Sequence, residues 1–260
     1  MERLFYFKIA FLFKIKKMNN LSHGSFFSGI GGFDTGAEKA GFQNVFNCEI
    51  DKWKRKKLLK LNPNAKQYND ITKISEIEKC TVFSAGFPCQ DISINNSKAI
   101  GIFGKRSSLF FTLIQHIGNA RPDYVLLENS PMLLNRGLYE VLTEFTKIGY
   151  MCEWQCLQAS DFGYPHKRER IYIIAYPLQK RPRLVFKSLK TFELHTKWTP
   201  TKDFVHCTTS RANGFANCES IQRGNIVFEI NRRIAAYGDA VMPVIAEYLF
   251  SCIKLDIFEK

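Results

Sequence analysis

The hydrophobic positions of the chain fall into short apolar runs that alternate with amphipathic segments. Five runs have the length and the flanking turn residues of strands, at 23–29 (HGSFFSG), 44–49 (NVFNCE), 81–86 (TVFSAG), 123–129 (DYVLLEN) and 170–176 (RIYIIAY). Strands buried on both faces are apolar throughout instead of alternating with polar residues. Strands separated by helical segments are typical of an α/β fold with a largely parallel sheet, which we therefore expect.

Between these runs, apolar residues recur at the spacing of a helix face. A short helix is predicted at 34–41, ended by Gly41, and an exposed basic helix at 52–61. Three more helices are marked by apolar residues at helical spacing: Leu109, Phe110, Leu113, Ile114 and Ile117 on the first, Leu138, Val141, Leu142 and Phe145 on the second, and Val241, Val244, Ile245, Tyr248, Leu249 and Cys252 on the last. The chain shows no internal repeat.

The alternation stops at 177–230, where the sequence becomes basic and rich in Ser, Thr and Asn. We interpret this stretch as a small inserted lobe or long loop, because loops on a rigid scaffold often carry recognition. A disordered linker is the alternative. The predicted division is an extension at 1–17, a catalytic domain at 18–176, a target-recognition region at 177–230, and a segment at 231–260 whose helix returns to the catalytic domain.

The first residues, MERLFYFKIAFLFKIKK, are apolar and basic. Their longest uncharged run is shorter than the ~20 residues that span a bilayer, and no small-residue cleavage site follows as in a signal peptide. Met18 directly precedes the first predicted strand. We therefore expect residues 1–17 to be an N-terminal extension and expect no membrane association.

Composition adds a prediction about partners. The 260 residues are 45% hydrophobic, enough for a sizeable core, and the formal net charge is +13. A basic balance of this size favours a polyanionic partner, most often nucleic acid. The lysine-rich composition of an AT-rich genome is the alternative explanation.

The eight cysteines include no C-x-x-C pair. Scattered cysteines in a chain of this length fit a reducing compartment better than a disulfide framework. His195, His206, Cys207 and Cys218 match no usual zinc-finger spacing, so no metal site is expected.

A glycine-rich turn and an acidic strand end predict a nucleotide-like ligand. The stretch FFSGIGGFDTG places Gly29, Gly31 and Gly32 between a strand and a helix, where backbone amides can approach a ligand closely. Glu49 follows the next strand and can accept hydrogen bonds from ribose hydroxyls. Asp51 can instead stabilise the start of the next helix. Together the two features predict an adenosine-containing cofactor.

Three further positions have the residue types of a reactive site. Cys89, in GFPCQDIS, follows a predicted strand in a turn and would be a nucleophile if its surroundings lower the thiol pKa from ~8.5. Glu128 ends a buried strand, where ligands bind in open α/β sheets and a carboxyl can act as an acid. Arg168 and Arg170 point the same way on a strand and can pair with Glu128, a phosphate or a base. A structural cysteine, a solvated carboxylate and a solvated basic surface are the respective alternatives.

The order of these motifs along the chain resembles that of the cytosine-C5 DNA methyltransferases. Glycine loop, acidic strand end, Pro-Cys-Gln, Glu-Asn, Arg-x-Arg and YGDAVMP follow one another over residues 22–176 and about 232–253. The resemblance implies a Rossmann-like sheet with helices on both faces that binds S-adenosylmethionine, with a small target-recognition lobe. It also implies double-stranded DNA as the partner.

The resemblance assigns a catalytic role to four residues. Cys89 would attack C6 of a cytosine flipped out of the duplex, and Glu128 would hydrogen-bond N3. Arg168 and Arg170 would orient the base and the catalytic loop. A thiolate added at C6 makes C5 enamine-like and able to accept a methyl group, and this geometry requires the base to leave the stack.

The other assignments are carried over from the same motifs. Phe27 would stack on adenine, Glu49 would hold the ribose, and Asp70 would meet the adenine amino group. The complete cofactor-binding set is Phe27, Gly29, Gly31, Gly32, Glu49, Ile50, Asp70, Ile71, Pro88, Asp239 and Val241. The substrate-binding set is Gln90, Ser93, Arg106, Ser107, Asn129 and His166.

The chain departs from the family pattern at several points. The first motif often begins with Asp where this chain has Ser25, and His166 replaces a usual Gln. Asp239 stands in GDAV where Asn is usual, which adds a negative charge near the cofactor region. The Arg-Leu-Gln signature before the last helix is not recognisable, and the recognition region is short.

These departures keep alternatives open. The chain could be a catalytically silent DNA-binding remnant, a methyltransferase acting on tRNA, or an unrelated nucleotide-binding thiol enzyme. On the favoured interpretation we expect a monomer in the cytoplasm of a prokaryotic or phage-infected cell. It would serve restriction-modification or phage and host DNA protection, with a cognate restriction endonuclease encoded nearby as a further partner.

Overall fold

The computed structural model describes residues 21–88, 109–180, 185–186 and 240–258. The strands in these ranges are β1 (Ser22–Phe26), β2 (Gln43–Cys48), β3 (Lys66–Tyr68), β4 (Val82–Ala85), β5 (Tyr124–Asn129), β6 (Tyr150–Gln158) and β7 (Glu169–Pro177). The helices are α1 (Gly32–Lys39), α2 (Lys52–Leu61), α3 (Leu109–Ala120), α4 (Leu133–Arg136), α5 (Leu138–Lys147) and α6 (Pro243–Phe258). Short 3-10 helices lie at Ile71–Lys73, Ala159–Phe162 and Leu178–Lys180.

Several predictions fall outside the described residues. These are the extension at 1–17, almost all of the recognition region beyond residue 180, and the site residues Cys89, Gln90, Ser93, Arg106, Ser107 and Asp239.

The seven strands form one sheet in the order β3-β2-β1-β4-β5-β7-β6. The first five pair in parallel, whereas β7 lies antiparallel between β5 and β6. The predicted α/β class is confirmed. Strands β3 and β6 escaped prediction, and both are edge strands. On β6, polar and apolar residues are mixed, and Met151 and Trp154 are about half exposed, at 46% and 45%.

Helices cover both faces of the sheet, as expected. One face packs against α3 and α5, through Phe110, Leu113 and Phe145 among others. The other face packs against α1 and α6, where Phe33, Ile245 and similar residues meet. Helices α3, α5 and α6 bury most of the apolar stripe that their sequence spacing predicted, because that stripe can be removed from water against the sheet. The prediction was wrong for Val241, which precedes α6 instead of lying on it.

Helix α6 completes the core although it lies far along the chain from its neighbours. A Cβ atom added to Gly36 in α1 would lie 2.4 Å from that of Ala246 in α6, so the two helices pack with almost no space between them. The Tyr124 hydroxyl of β5 donates to the buried Asp256 carboxylate of α6. The C-terminal helix therefore returns to the sheet.

Helix α2 is different, because Leu58 is its only buried residue. Asp51 accepts hydrogen bonds from the backbone amides of Trp53 and Lys54, so it caps the helix. This agrees with the sequence interpretation in which Asp51 stabilises the start of the helix. Among the described residues, no helix is both long and apolar enough to cross a membrane.

Candidate active site

The carboxyl ends of the parallel strands bring the predicted site residues to one edge of the sheet. Phe27 follows β1, Glu49 follows β2, Gly86 follows β4, and Glu128 lies near the end of β5. Parallel strands order their ends along the same edge, and ligands of open α/β sheets bind there. The structure therefore collects residues that are up to about a hundred positions apart in the sequence.

The turn after β1 has a strained backbone. Phe27 has a φ of 51° and Gly29 a φ of 60°, and positive φ is uncommon for a residue that carries a side chain. The turn is held by the Ser28 amide, which donates to the Cys48 carbonyl at 3.0 Å, and by the Gly31 amide, which donates to the Ser28 carbonyl at 2.9 Å. Backbone strain of this kind concentrates at ligand sites.

Glu49 is fixed between this turn and the start of α2. Its two carboxylate oxygens accept the Gly29 amide at 2.8 Å and the Asp51 amide at 2.9 Å. Only 8% of Glu49 is exposed, and Arg55 donates to the carbonyls of Glu49 and Ile50. Each carboxylate oxygen has a second lone pair, so Glu49 can still accept hydrogen bonds from a ribose.

The neighbouring residues have the chemistry that an adenosine group needs. Ile50 is 75% exposed and offers an apolar surface beside Glu49. Hydrogen bonds from the Thr72 hydroxyl and amide lower the pKa of Asp70, so its carboxylate is ionised and can accept from an amino group. Ile71 is buried, and its carbonyl accepts a hydrogen bond from His116 Nε2 at 2.9 Å. These residues fit S-adenosylmethionine.

The three glycines of the turn differ in what surrounds them. A Cβ added to Gly29 would have only the Phe27 carbonyl oxygen within reach, at 4.0 Å. One added to Gly32 would lie 2.2 Å from the Val241 carbonyl oxygen, and one at Gly31 would lie 2.5 Å from Leu61 Cδ2. Gly31 and Gly32 therefore make room for protein, whereas Gly29 borders open space. The Val241 backbone thus lies against Gly32 of the turn that is predicted to bind the cofactor.

Glu128 and Arg170 form an ion pair across two adjacent antiparallel strands. Arg170 Nε lies 3.0 Å from Glu128 Oε1, and the side chains are 31% and 10% exposed. A Cβ added to Gly86 would lie 3.4 Å from Glu128 Oε2, so that oxygen points toward the end of β4. This arrangement matches one of the pairings that the Arg-x-Arg spacing allowed.

Asn129 links β5 to the segment that leads to Cys89. Its Nδ2 donates to the Phe87 carbonyl at 3.3 Å, and its Oδ1 accepts the Ser130 amide at 2.8 Å. The side chain is 2% exposed. It therefore holds the backbone directly before Pro88, while its predicted contact with substrate stays a prediction.

Arg168 and His166 lie on the approach to β7. The Arg168 carbonyl accepts the Ala159 amide at 2.9 Å, which ties this approach to the 3-10 helix at Ala159–Phe162. Burial lowers the pKa of His166, and the positive charge of Arg168 lowers it further. The imidazole is thus neutral at pH 7 and able to accept a hydrogen bond.

Sequence analysis missed a polar cluster beneath the glycine turn. His23, Ser25 and Asp34 are fully buried, and burial lowers the pKa of His23 to about 4 and raises that of Asp34 to about 7. The available signal was the presence of His and Ser inside an otherwise apolar strand. Within the described part of the chain, no group of three or more His, Cys, Asp or Glu side chains could hold a metal ion.

Comparison with known proteins identifies relatives. Residues 21–226 match the family of C-5 cytosine-specific DNA methylases. The Type II methyltransferase M.NgoBI of Neisseria gonorrhoeae is 39% identical over 156 residues, which are 58% of this chain and 49% of that protein. The Type II methyltransferase M.DsaV of Dactylococcopsis salina is 35% identical over 177 residues, which are 66% of this chain and 50% of that protein. The chain thus spans about half the length of these curated relatives.

Solved structures support the fold. The Dnmt2 methyltransferase of S. pombe superposes with a TM-score of 0.52 at 21% identity, over 65% of this chain and 52% of that one. The methyltransferase EhMeth of Entamoeba histolytica gives 0.52 at 23% identity, over 60% and 53%. At these identities the likeness concerns the Rossmann-like sheet and its helices.

Proposed function

Because the chain belongs to the family of C-5 cytosine-specific DNA methylases, we propose that it transfers a methyl group from S-adenosylmethionine to C5 of cytosine in double-stranded DNA. The observation that carries this proposal is the Glu128–Arg170 pair. It lies one strand from β4, whose end leads through Phe87 and Pro88 to Cys89. A carboxyl and a guanidinium thus lie beside the strand end that leads toward Cys89 in the sequence.

S-adenosylmethionine, when bound, supplies a methyl group on a positively charged sulfur. Glu49 would hold its ribose hydroxyls, and the exposed Ile50 and the Phe27 ring would contact its adenine. The ionised Asp70 would accept a hydrogen bond from the adenine amino group. Gly29 would let the ligand approach the backbone, since a side chain there would occupy the open space beside the turn.

The residues of the base pocket would act on cytosine in a defined order. The Cys89 thiolate adds to C6 while the Glu128 carboxyl donates a proton to N3, which leaves C5 rich in electrons. C5 would then take the methyl group, and the bond from the methyl carbon to the cofactor sulfur would break, which leaves the cofactor as a neutral thioether. A base would remove the C5 proton, the C6–sulfur bond would break with its electron pair going to sulfur, and N3 would return its proton to Glu128, so the Cys89 thiolate and the Glu128 carboxyl are regenerated. Arg170 would hold Glu128 in place throughout.

The test is transfer of labelled methyl from S-adenosylmethionine to mixed-sequence DNA and to tRNA, with Cys89→Ala alongside. We expect label in DNA that is lost in the variant, while the variant still binds the cofactor. Label found only in tRNA would show that the substrate is tRNA and not DNA. No label in either, from folded protein, would support the silent DNA-binding remnant, which the Asp239 substitution and the unrecognised Arg-Leu-Gln signature favour.

The biological setting is proposed from the relatives. They are named Type II methyltransferases, so we infer a role in restriction-modification or in phage and host DNA protection in the cytoplasm, with a cognate endonuclease encoded nearby. We also propose that the chain acts as a monomer. Light scattering coupled to gel filtration would contradict this by giving twice the monomer mass.

A further inference from the structure

A continuous chain of hydrogen bonds runs beneath the cofactor site and ends at the glycine turn. It begins on β4, where Ser84 Oγ lies 2.7 Å from His23 Nε2, and continues from His23 Nδ1 to Asn44 Oδ1 at 2.6 Å. Asn44 Nδ2 donates to Asn62 Oδ1 at 3.0 Å, and Asn62 Nδ2 donates to an Asp34 oxygen at 3.2 Å. The chain thus crosses three strands and reaches α1.

On the other side of Asp34, two hydroxyls lead to the turn. Ser25 Oγ lies 3.0 and 3.1 Å from the two Asp34 oxygens and 2.6 Å from Ser28 Oγ. Ser28 Oγ in turn accepts the Cys48 amide at 3.1 Å. Ser28 is the residue between Phe27 and Gly29, which carry the positive φ angles.

The directions of these bonds are consistent with one another. An amide oxygen only accepts, so His23 carries its proton on Nδ1, and Nε2 accepts the Ser84 hydroxyl. Asn44 and Asn62 both donate toward Asp34, and Ser25 donates to it from the opposite side. Asp34 is therefore the acceptor at which the whole arrangement converges.

Asp34 is an unusual choice for a purely structural position. It is fully buried, and among the described residues no Lys, Arg or His forms an ion pair with it. A buried carboxylate without a cation is costly, and burial accordingly raises its pKa to about 7. The carboxylate accepts hydrogen bonds from Ser25 and Asn62, which an apolar side chain of the same size could not do.

We propose that Asp34 is a positioning residue of the cofactor site, which acts through Ser25 and Ser28 to hold the strained turn in the shape that directs the Gly29 amide at Glu49. This inference rests on the proposed function, since it concerns the binding of S-adenosylmethionine. Without the carboxylate, Ser25 Oγ loses its acceptor and can turn away from Ser28 Oγ, which then has only backbone partners, the Ser25 and Cys48 carbonyls at 3.1 and 3.2 Å and the Cys48 amide. The turn can then relax, and Glu49 loses the 2.8 Å bond that orients it.

The experiment measures the dissociation constant of S-adenosylmethionine by calorimetry on the full chain. Asp34→Ala and Ser25→Ala should each weaken binding about tenfold, which corresponds to about 1.4 kcal/mol. The exchange variant Ser25→Asp with Asp34→Ser keeps the side-chain volume and restores a carboxylate–hydroxyl pair with its members reversed. It should recover most of the lost affinity.

A matched control separates positioning from stability. Asp256 is also a buried aspartate that accepts a hydroxyl, from Tyr124, but it lies on α6 and not at the turn. Asp256→Asn should lower the melting temperature and leave the dissociation constant unchanged. In steady-state assays, Asp34→Ala should raise KM for S-adenosylmethionine while kcat at saturation stays near that of the unaltered chain.

The outcomes are distinguishable. Dissociation constants within twofold of the unaltered chain for both alanine variants would overturn the inference and leave the proposed function intact. If Asp34→Ala does not fold, Ser25→Ala carries the same comparison. Failure of the unaltered chain to bind S-adenosylmethionine would overturn the proposed function, and this inference with it.

Discussion

Two buried carboxylates at the same sheet edge have opposite surroundings. Asp34 is completely buried and bonds only to neutral donors, the Ser25 hydroxyl and the Asn62 amide. The Glu128 side chain is 10% exposed and pairs with Arg170. Neutral donors hold a carboxylate in place but leave its charge poorly compensated. At Glu128 the guanidinium holds one oxygen, Oε1, while Oε2 points toward the end of β4. The comparison separates a carboxylate that we propose shapes the site from one that we propose reacts.

The two carboxylates also belong to different parts of the sheet. Asp34 lies above the parallel strands that carry the cofactor residues, and Glu128 lies where β5 meets the antiparallel β7. Because β7 runs antiparallel to β5, its first residues lie beside the last residues of β5, and this brings Arg170 beside Glu128. The cofactor half is thus organised by hydroxyls and amides, and the base pocket by an ion pair.

The largest expected effect comes from removing the reactive carboxyl. Glu128→Gln keeps the shape of the side chain but cannot protonate N3, so kcat should fall about 10²- to 10³-fold. Cofactor affinity should stay unchanged. Single-turnover methyl transfer at saturating S-adenosylmethionine measures the rate.

Glu153→Gln is the matched control for this change. Glu153 lies on β6, where it is half-buried and accepts the Tyr176 hydroxyl and the Val185 amide, so it is a hydrogen-bonded glutamate with no place at the site. Equal rates for the two variants would contradict the reactive role of Glu128.

The next effect separates the two carboxylates by pH. The folded chain raises the pKa of Asp34 from its ordinary 3.8 to about 7, so it binds this proton more tightly than the unfolded chain does. This contribution to the free energy of unfolding is complete below about pH 4 and is lost as pH rises to about 7. Asn does not titrate, so Asp34→Asn does not lose stability in this way. The free energy of unfolding of Asp34→Asn minus that of the unaltered chain should therefore rise by about 2–4 kcal/mol from pH 4 to pH 8.

His23 offsets part of this slope in the unaltered chain. Its pKa is lowered from 6.5 to about 4, so its contribution is complete above about pH 6.5 and is lost as pH falls toward 4. Urea denaturation between pH 4.5 and 8 measures both effects. Parallel stability curves for Asp34→Asn and the unaltered chain would show that the buried carboxylate does not titrate in this range.

A smaller effect distinguishes the glycines of the turn. Gly32→Ala would press a Cβ atom against the Val241 backbone at 2.2 Å, so it should lower the free energy of unfolding by about 2–3 kcal/mol. Gly163→Ala is the control, because Gly163 has a φ of 83° but nothing within 4 Å. It should cost only about 1 kcal/mol of backbone strain. Chemical denaturation compares them, and equal losses would refute the close approach of Val241.

The smallest effect lies at the far end of the hydrogen-bond chain. Ser84→Ala removes the hydroxyl that donates to His23 and should cost about 1 kcal/mol of stability. Because Ser84 is separated from the turn by the whole chain of bonds, the affinity for S-adenosylmethionine should not change. A cofactor affinity reduced as much as in Ser25→Ala would mean that the entire chain of bonds, and not Asp34 alone, positions the turn.

Much of this fold is predictable from local pattern. The apolar runs located β1, β2, β4, β5 and β7 because strands buried on both faces are rich in apolar residues. Edge strand β6 carries no such pattern, since one side of it meets water. The pairing of Arg170 with Glu128 was one of several that spacing allowed, and only the antiparallel register selects it. The convergence of hydrogen bonds on Asp34 could not be predicted from the sequence, because residues 25, 34 and 62 meet only through tertiary packing.

The central claim is that Cys89 forms a covalent bond with cytosine in a site where Glu128 reacts and Asp34 positions. The most direct test uses duplex DNA in which 5-fluorocytosine replaces cytosine, because fluorine at C5 leaves no proton to remove and the adduct accumulates. With S-adenosylmethionine at saturation, the unaltered chain and Asp34→Ala should form an adduct that survives denaturing electrophoresis and maps by mass spectrometry to Cys89. Glu128→Gln should form it far more slowly. An adduct that persists in Cys89→Ala, or none in a folded chain that binds DNA, would contradict the account.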